Sequence, residues 1–202
     1  MRRLRPGSEA EMIALFLSAE LGSDLYGPAI RALLERDGVP ATVITTPDLA
    51  DAAENRTRLR LLTAHRGYGN RTEIFEDFPD DVRWEWMALT PAELATVRYI
   101  DYSYWIELSG GTRLAVDAVP RIRAGVAPFG VPNDGLLSLA RAIAAGVRFP
   151  PLILVTTEPG GPLMVLEGHG RLTGYMLAYE HLPPELEMMV GTSPLMTGWD
   201  CW

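Results

Sequence analysis

The spacing of apolar residues in the first third of the chain predicts helices. Ser8 and Glu11 form a capping-box pattern, and the apolar residues after them recur at the interval of a helix. The β-branched stretch 39–45 is typical of a strand or a buried connector. Helices are therefore predicted over residues 9–21, over 28–36, and from Thr46-Pro47-Asp48 to about Ala64.

The helical pattern stops at residues 65–84, which predict a long loop. Two glycines flank Tyr68, and acidic and aromatic residues follow. A loop of this length in a compact protein is functional or disordered, and the aromatic residues favour order.

The middle of the chain predicts a short helix and a β-hairpin. A capping box at Thr90 and Glu93 begins a helix that ends near Val97. Strand-like runs occupy residues 98–108 and 113–117, and the Ser-Gly-Gly-Thr sequence between them is a hairpin signal.

The C-terminal part alternates between helical and strand patterns. Residues 119–125 form a basic loop bounded by proline and glycine, and Asn133 caps a helix that ends at Gly146. Further elements are predicted as a strand at 150–157, a strand at 162–167, a helix at 170–180 and a strand at 186–191. The chain as a whole predicts an α+β fold, with a mostly helical region at 1–95 and a second domain at 96–202.

The composition narrows the classes of function. The chain has 202 residues, of which 18 are basic and 26 acidic, and its net charge of -8 disfavours indiscriminate binding to nucleic acid. Cys201 is the only cysteine, so one chain cannot form a disulfide framework, a cysteine-rich zinc site or a redox pair. No apolar run reaches the length of a membrane span and no secretion signal is visible, so a soluble cytoplasmic protein is expected.

The main candidate for chemistry is the segment Glu167-Gly168-His169-Gly170-Arg171, which joins a predicted strand to a predicted helix. Its glycines allow a ligand to approach the backbone, and the start of a helix carries free N–H groups and partial positive charge. Arg171 adds a positive group that is unfavourable at a helix start unless an anion lies nearby, and His169 donates a hydrogen bond or carries a proton. This pattern indicates an anion site; the alternative is a tight turn with exposed side chains.

The run LARAIAAGVRFPPLILVTTEPGGPLMVLEGHGRLTGYMLA resembles the ParB/sulfiredoxin-like domain. That domain has a helix, a β-hairpin, and a junction of the type Asp/Glu-Gly-His-His-Arg or Gly-Glu-Arg-Arg that opens a second helix. The resemblance covers roughly residues 112–180. It implies that residues 96–202 form a nucleotide-binding domain with a small mixed sheet and helices, and it leaves the helical region 1–95 unassigned.

Three groups of that superfamily differ at the junction. Sulfiredoxins carry a catalytic cysteine where this chain has His169, which argues against their activity. Chromosome-partitioning ParB proteins have adjacent arginines where this chain has Gly170. Kinases of free serine have Asp-Gly-His-His-Arg, which this chain matches except at Gly170.

The resemblance implies a nucleotide-binding ParB-like protein that acts as an ATP-dependent kinase or phosphate-transferring enzyme on a small metabolite. ATP, or else CTP or ADP, is the implied cofactor; Mg²⁺ would arrive with the nucleotide, because no metal site is built into the chain. One alternative is a non-catalytic nucleotide-gated regulator or protein-interaction module. A DNA-associated ParB-like protein is the third possibility, and the net charge disfavours it.

The implied site divides into three sets of residues. The catalytic set is His169, Glu167 and Asp134. The phosphate-binding set is Gly168, Gly170, Arg171, Thr173, Arg121 and Arg123. The substrate-pocket set is Asp101, Tyr68 and Trp105. Asp134 stands at the far end of the loop that carries an activating carboxylate in the kinases, and Asp117 is the alternative.

Two members of the substrate-pocket set have a simpler interpretation. Asp101 and Trp105 share one face of the predicted strand 98–108, which fits a pocket wall or, more simply, an ordinary core strand. Tyr68 fits either a lid that stacks on a nucleotide or a structural turn.

Overall fold

A five-stranded mixed sheet connects the two ends of the chain. The computed structural model describes all residues, 1–202. The strands are β1 (Arg2–Pro6), β2 (Arg83–Leu89), β3 (Ile153–Thr156), β4 (Met164–Glu167) and β5 (Leu186–Thr192). They lie in the order β1-β2-β5-β3-β4, and β3 runs parallel to β5 while the other neighbours are antiparallel.

Nine helices accompany the sheet, so the predicted α+β class is confirmed. They are α1 (Glu9–Leu21), α2 (Gly27–Arg36), α3 (Thr42–Thr45), α4 (Ala52–Arg66), α5 (Pro91–Leu94), α6 (Ser103–Leu108), α7 (Ala115–Arg123), α8 (Asp134–Ala144) and α9 (His169–Leu177). The capping boxes of α1 and α5 form as predicted. None of the helices combines the length and the hydropathy that crossing a bilayer requires.

The two faces of the sheet carry separate apolar cores. Ile153 and Val155 of β3 pack with the N-terminal helices, whereas Leu152 and Leu154 pack with α7, α8 and α9. This alternation follows from the two-residue period of a strand. The sheet is therefore covered by helices on both faces.

The predicted boundary near residue 95 passes through a shared sheet and a shared core. β1 and β2 precede it, and β2 pairs with β5, which lies near the C-terminus. The core on the N-terminal face likewise contains Phe16 and Leu62 together with Met189. Residues 1–95 and 96–202 thus share the β2–β5 strand pair and one apolar core.

The predicted hairpin of strands 98–108 and 113–117 is wrong, because these segments form α6 and α7. Short aromatic runs fit either a strand or a helix, and periodicity alone does not separate the two. In α7 the buried positions Ala115, Ala118 and Ile122 have helical spacing. Pro120 lies within α7 and does not end the helix. The basic loop predicted at 119–125 is therefore helical over most of its length.

Two strands were missed by the sequence patterns. β1 consists mainly of arginines, and the start of β2 was assigned to the loop 65–84. Their pairing is supported by contacts such as the ion pair of Arg3 with Glu85 and the cation–π contact of Arg5 with Trp86. Residues 39–45 contain the short helix α3, not a strand, and Val43 in it is buried.

Arg58 ties α4 to the segment before it. The side chain is fully buried and donates hydrogen bonds to the carbonyl oxygens of Val43 and Asp48 at 2.9 Å each. It also pairs with Glu54 at 2.9 Å. Arg56, two residues earlier on the same helix, is exposed.

We expect Arg58→Met to lower the free energy of unfolding by about 3 kcal/mol, because it leaves buried carbonyl groups and Glu54 without their partner. Arg56→Met is the matched control and should change the free energy by no more than about 0.5 kcal/mol. Urea denaturation measures both. Equal stabilities of the two variants would contradict a structural role for the buried guanidinium.

Candidate functional site

The junction between β4 and α9 depends on a left-handed turn at Gly168. This residue precedes α9 with φ 104° and ψ 26°. A Cβ atom at this position would lie 2.4 Å from Cδ2 of Leu152. Only glycine adopts such a backbone without strain and fits the space, so Gly168 is required by the fold.

The start of α9 supplies free backbone donors. The first hydrogen bond of the helix runs from the amide of Leu172 to the carbonyl of Gly168 at 2.8 Å. The amides of His169, Gly170 and Arg171 precede this bond and have no partner within the helix. The predicted start of a helix at the junction is thus present.

A cavity of about 720 Å³ lies between this junction and the N-terminal helices. Residues 167–171 line one side of it, and Glu20, Tyr26 and Arg66 line another. Half of its lining residues are hydrophobic, among them Trp105. This size and this mixture of apolar walls with a few charged groups are typical of small-molecule sites.

Arg171 connects α9 to the loop before β3. Its Nη1 donates to the carbonyl oxygens of Pro150 at 2.6 Å and Pro151 at 3.0 Å, and its Nη2 pairs with the Glu167 carboxylate. Only Nε has no partner within the chain. The guanidinium is thus both a structural tie and a wall of the cavity.

Glu167 is the carboxylate of the junction. Burial raises the pKa of Glu167, and the opposing effect of Arg171 does not cancel it. A group with a raised pKa accepts a proton closer to neutral pH than an ordinary carboxylate does. This property suits the catalytic role that the sequence predicts for Glu167.

His169 lies against an aromatic cluster. Its ring is nearly parallel to Trp105, with centroids 5.2 Å apart, and to Tyr99, with centroids 6.3 Å apart. Its Nε2 is shielded from solvent and has no hydrogen-bond partner. Burial, helped by Arg66 and Arg171, lowers the pKa of His169 to about 3. The imidazole is therefore neutral at pH 7, which argues against a role as a cationic proton donor.

The cavity wall opposite the junction, which contains Glu20, Tyr26 and Arg66, was not predicted from the sequence. Glu20 is almost fully buried and accepts hydrogen bonds from His65 at 2.6 Å and from Nε of Arg66 at 3.0 Å. The Arg66 guanidinium also stacks on Tyr26 at 3.8 Å from the ring centroid. One signal was available, because Glu20 occupies a position on the apolar face of α1, where a charged residue needs a partner.

The other predicted phosphate-binding residues lie outside the cavity lining. Arg121 donates to the carbonyl oxygens of Glu107 and Leu108, and Arg123 donates to that of Leu177. Both guanidinium groups thus bind the C-terminal ends of helices, where positive charge is favourable.

Thr173 lies in the second turn of α9, and its side chain faces Tyr99. Its hydroxyl forms hydrogen bonds with the Tyr99 hydroxyl at 2.6 Å and with the His169 carbonyl at 2.8 Å. It therefore positions the helix and does not line the cavity.

The remaining predicted residues are also placed elsewhere, with one exception. Asp134 is exposed in the first turn of α8, and Asp101 is exposed beside Arg113 at 3.5 Å. Tyr68 packs edge-on against Phe75 and donates a hydrogen bond to Glu9 at 2.6 Å. These contacts favour the structural turn over the nucleotide lid, the two alternatives for Tyr68. Trp105 is the exception, since it lines the cavity, although from a helix and not from the predicted strand.

The alternative catalytic carboxylate, Asp117, lies in the first turn of α7 and does not line the cavity either. No three His, Cys, Asp or Glu side chains come close enough to hold a metal ion together. No protein-family model, curated protein or solved structure matches the chain.

The two glycines of the junction give a direct test of the turn. We expect Gly168→Ala to lower the free energy of unfolding by about 3 kcal/mol, because it combines left-handed strain with a clash at Leu152. Gly170→Ala is the control: its Cβ would lie 3.8 Å from the nearest atom, on Leu136, and alanine favours a helix. Chemical denaturation of both variants checks this. A Gly170→Ala variant that loses as much stability as Gly168→Ala would contradict the assignment.

The neutral state of His169 predicts a pH dependence of stability. Between about pH 3 and 6.5 the unfolded histidine binds a proton and the folded one does not, so stability is lost as the pH falls. We expect His169→Phe to lose about 2 kcal/mol less than wild type between about pH 7 and pH 4.5. His181→Phe, at an exposed position, is the control and should follow wild type. Parallel pH profiles of all three proteins in urea denaturation would contradict the burial of a neutral imidazole.

Proposed function

We propose that the protein is a ParB/sulfiredoxin-like nucleotide-binding enzyme that transfers phosphate from ATP to a hydroxyl group of a small metabolite. The order of β3, β4, the junction and α9 follows the pattern of that superfamily. The observation that carries the proposal is the cavity of about 720 Å³ that residues 167–171 line, because these residues include the first turn of α9 together with Glu167 and Arg171.

The start of α9 supports phosphate binding. Free amides and the helix dipole favour an anion, and Nε of Arg171 adds a donor in the same turn. The apolar part of the lining, including Trp105, suits the base or the carbon skeleton of a ligand. The volume lies within the range of sites that hold ligands of this size.

The chain's own residues have separate roles in the proposed reaction. ATP, when bound, supplies the transferred phosphate, and Mg²⁺ accompanies it. The α9 amides and Arg171 orient the phosphate. Glu167 takes the proton of the substrate hydroxyl. As it does so, the hydroxyl oxygen of the substrate bonds to the γ-phosphorus, and the bond between that phosphorus and the ADP oxygen breaks. His169, as a neutral ring stacked on Trp105, extends the apolar wall of the cavity.

A second candidate is a nucleotide-gated regulator without turnover. It is favoured by the position of Asp134, which lies outside the cavity, and by the ties of Arg171 to Pro150 and Pro151. Both candidates bind nucleotide, so only the second step of the test separates them. A DNA-associated protein ranks third because of the net charge of -8.

Binding is tested first. Saturating ATP, CTP or ADP with Mg²⁺ should raise the melting temperature by about 5 °C, since a ligand at 100 times its Kd stabilises by about 2.7 kcal/mol. Melting temperatures equal to the Mg²⁺ blank for all three nucleotides would count against both candidates.

Turnover is tested next, by release of ADP across a panel of hydroxylated metabolites. Glu167→Gln keeps a hydrogen-bonding partner for Arg171 but removes the base, so we expect nearly unchanged nucleotide affinity and at least about 100-fold slower turnover. Glu158→Gln, at an exposed position outside the cavity, is the matched control and should behave as wild type. Nucleotide binding without consumption of ATP across the panel would favour the regulator.

A further inference from the structure

Arg66 is held in the cavity by an unusually complete set of contacts. Its Nε and Nη2 pair with Glu20, and its planar face lies on the Tyr26 ring. Glu20 in turn is fixed by His65. Burial lowers the pKa of Arg66, but Glu20 and, to a smaller degree, Tyr26 more than offset this effect, so the guanidinium stays charged.

One donor of Arg66 remains unused. The hydrogen bonds of Arg66 are made by Nε and Nη2 to Glu20, and Nη1 donates none that meets hydrogen-bonding geometry. The side chain keeps 15% of its surface exposed and lines the cavity. Arg66 is therefore a charged side chain that is already ordered and still has a free donor. A ligand that binds it loses little side-chain conformational entropy, which favours binding at this position.

Arg66 and Arg171 hold separate positions in the same cavity. Arg171 is tied to Glu167 and to the loop before β3, whereas Arg66 is tied to Glu20 of α1. Since each guanidinium is fixed by its own carboxylate, the two offer donors at two points. A ligand with two anionic groups would therefore have one guanidinium available for each.

We propose that Arg66 binds a second anionic group of the ligand, so that the cavity selects nucleoside di- and triphosphates over monophosphates. This inference rests on the proposed function, because it assumes that the first phosphate lies at the start of α9. It also gives the N-terminal region a role: α1 and α4 complete the site that the β4–α9 junction begins.

The test compares ADP and AMP, each with Mg²⁺, by isothermal titration calorimetry on the full chain. In the double variant Glu20→Gln/Arg66→Gln both charges are removed together, which avoids leaving Glu20 as an unpaired buried charge. We expect ADP affinity to fall about tenfold or more, since a hydrogen bond to a charged group is lost, and AMP affinity to change by less than about twofold. Arg56→Gln, on the exposed face of α4, is the control and should bind as wild type.

Each outcome decides a different point. If wild type binds neither nucleotide, the proposed function fails and this inference fails with it. If wild type binds ADP and the folded double variant binds it equally well, only the role of Arg66 is overturned. Equal losses for ADP and AMP would overturn the assignment to a second anionic group.

A further variant covers the case in which the double variant does not fold. Arg66→Lys keeps the charge beside Glu20 but removes the forked donor. We expect it to weaken ADP binding about threefold or more, the loss of part of one charged hydrogen bond, with AMP unaffected. Wild-type ADP affinity in this variant would overturn the inference.

Discussion

The pairing of β2 with β5 is the constraint on which the cavity depends. The two strands align from Arg83 opposite Thr192 to Leu89 opposite Leu186, and β5 continues to β3, which precedes the junction. Without this pairing, the helices that follow β1 would have no fixed relation to α9. The sheet therefore brings Glu20 and Arg66, which lie early in the chain, to the same cavity as residues 167–171.

The charges in the cavity are balanced in pairs. Glu20 pairs with Arg66 and Glu167 with Arg171, while His169 stays neutral. Burial nevertheless raises the pKa of Glu167, because the charge of Arg171 does not cancel the cost of desolvation. The cavity thus combines two carboxylate–guanidinium pairs with one neutral imidazole.

The sequence predicted the features that depend on neighbours in the chain. The cap at Ser8, the strands around the turn before β4, and the start of α9 all follow from local residue types. The residues of α6 were assigned to a strand because their aromatic pattern fits both periods. β1 was missed because its partner lies about 80 residues later, and the contact of Arg66 with Glu20 depends on how whole helices pack.

The structure separates the two glycines of the junction, which the sequence treats alike. Gly168 is explained by its left-handed turn and by the contact with Leu152, so its presence says nothing about a ligand. Gly170 has ordinary helical geometry, and a Cβ there would meet only Leu136 at 3.8 Å. A glycine inside a helix costs about 1 kcal/mol relative to alanine. The fold does not require a glycine at position 170, because an alanine side chain would fit there. Gly170 lines the cavity in the first turn of α9, where the absence of a Cβ leaves the backbone open to the cavity.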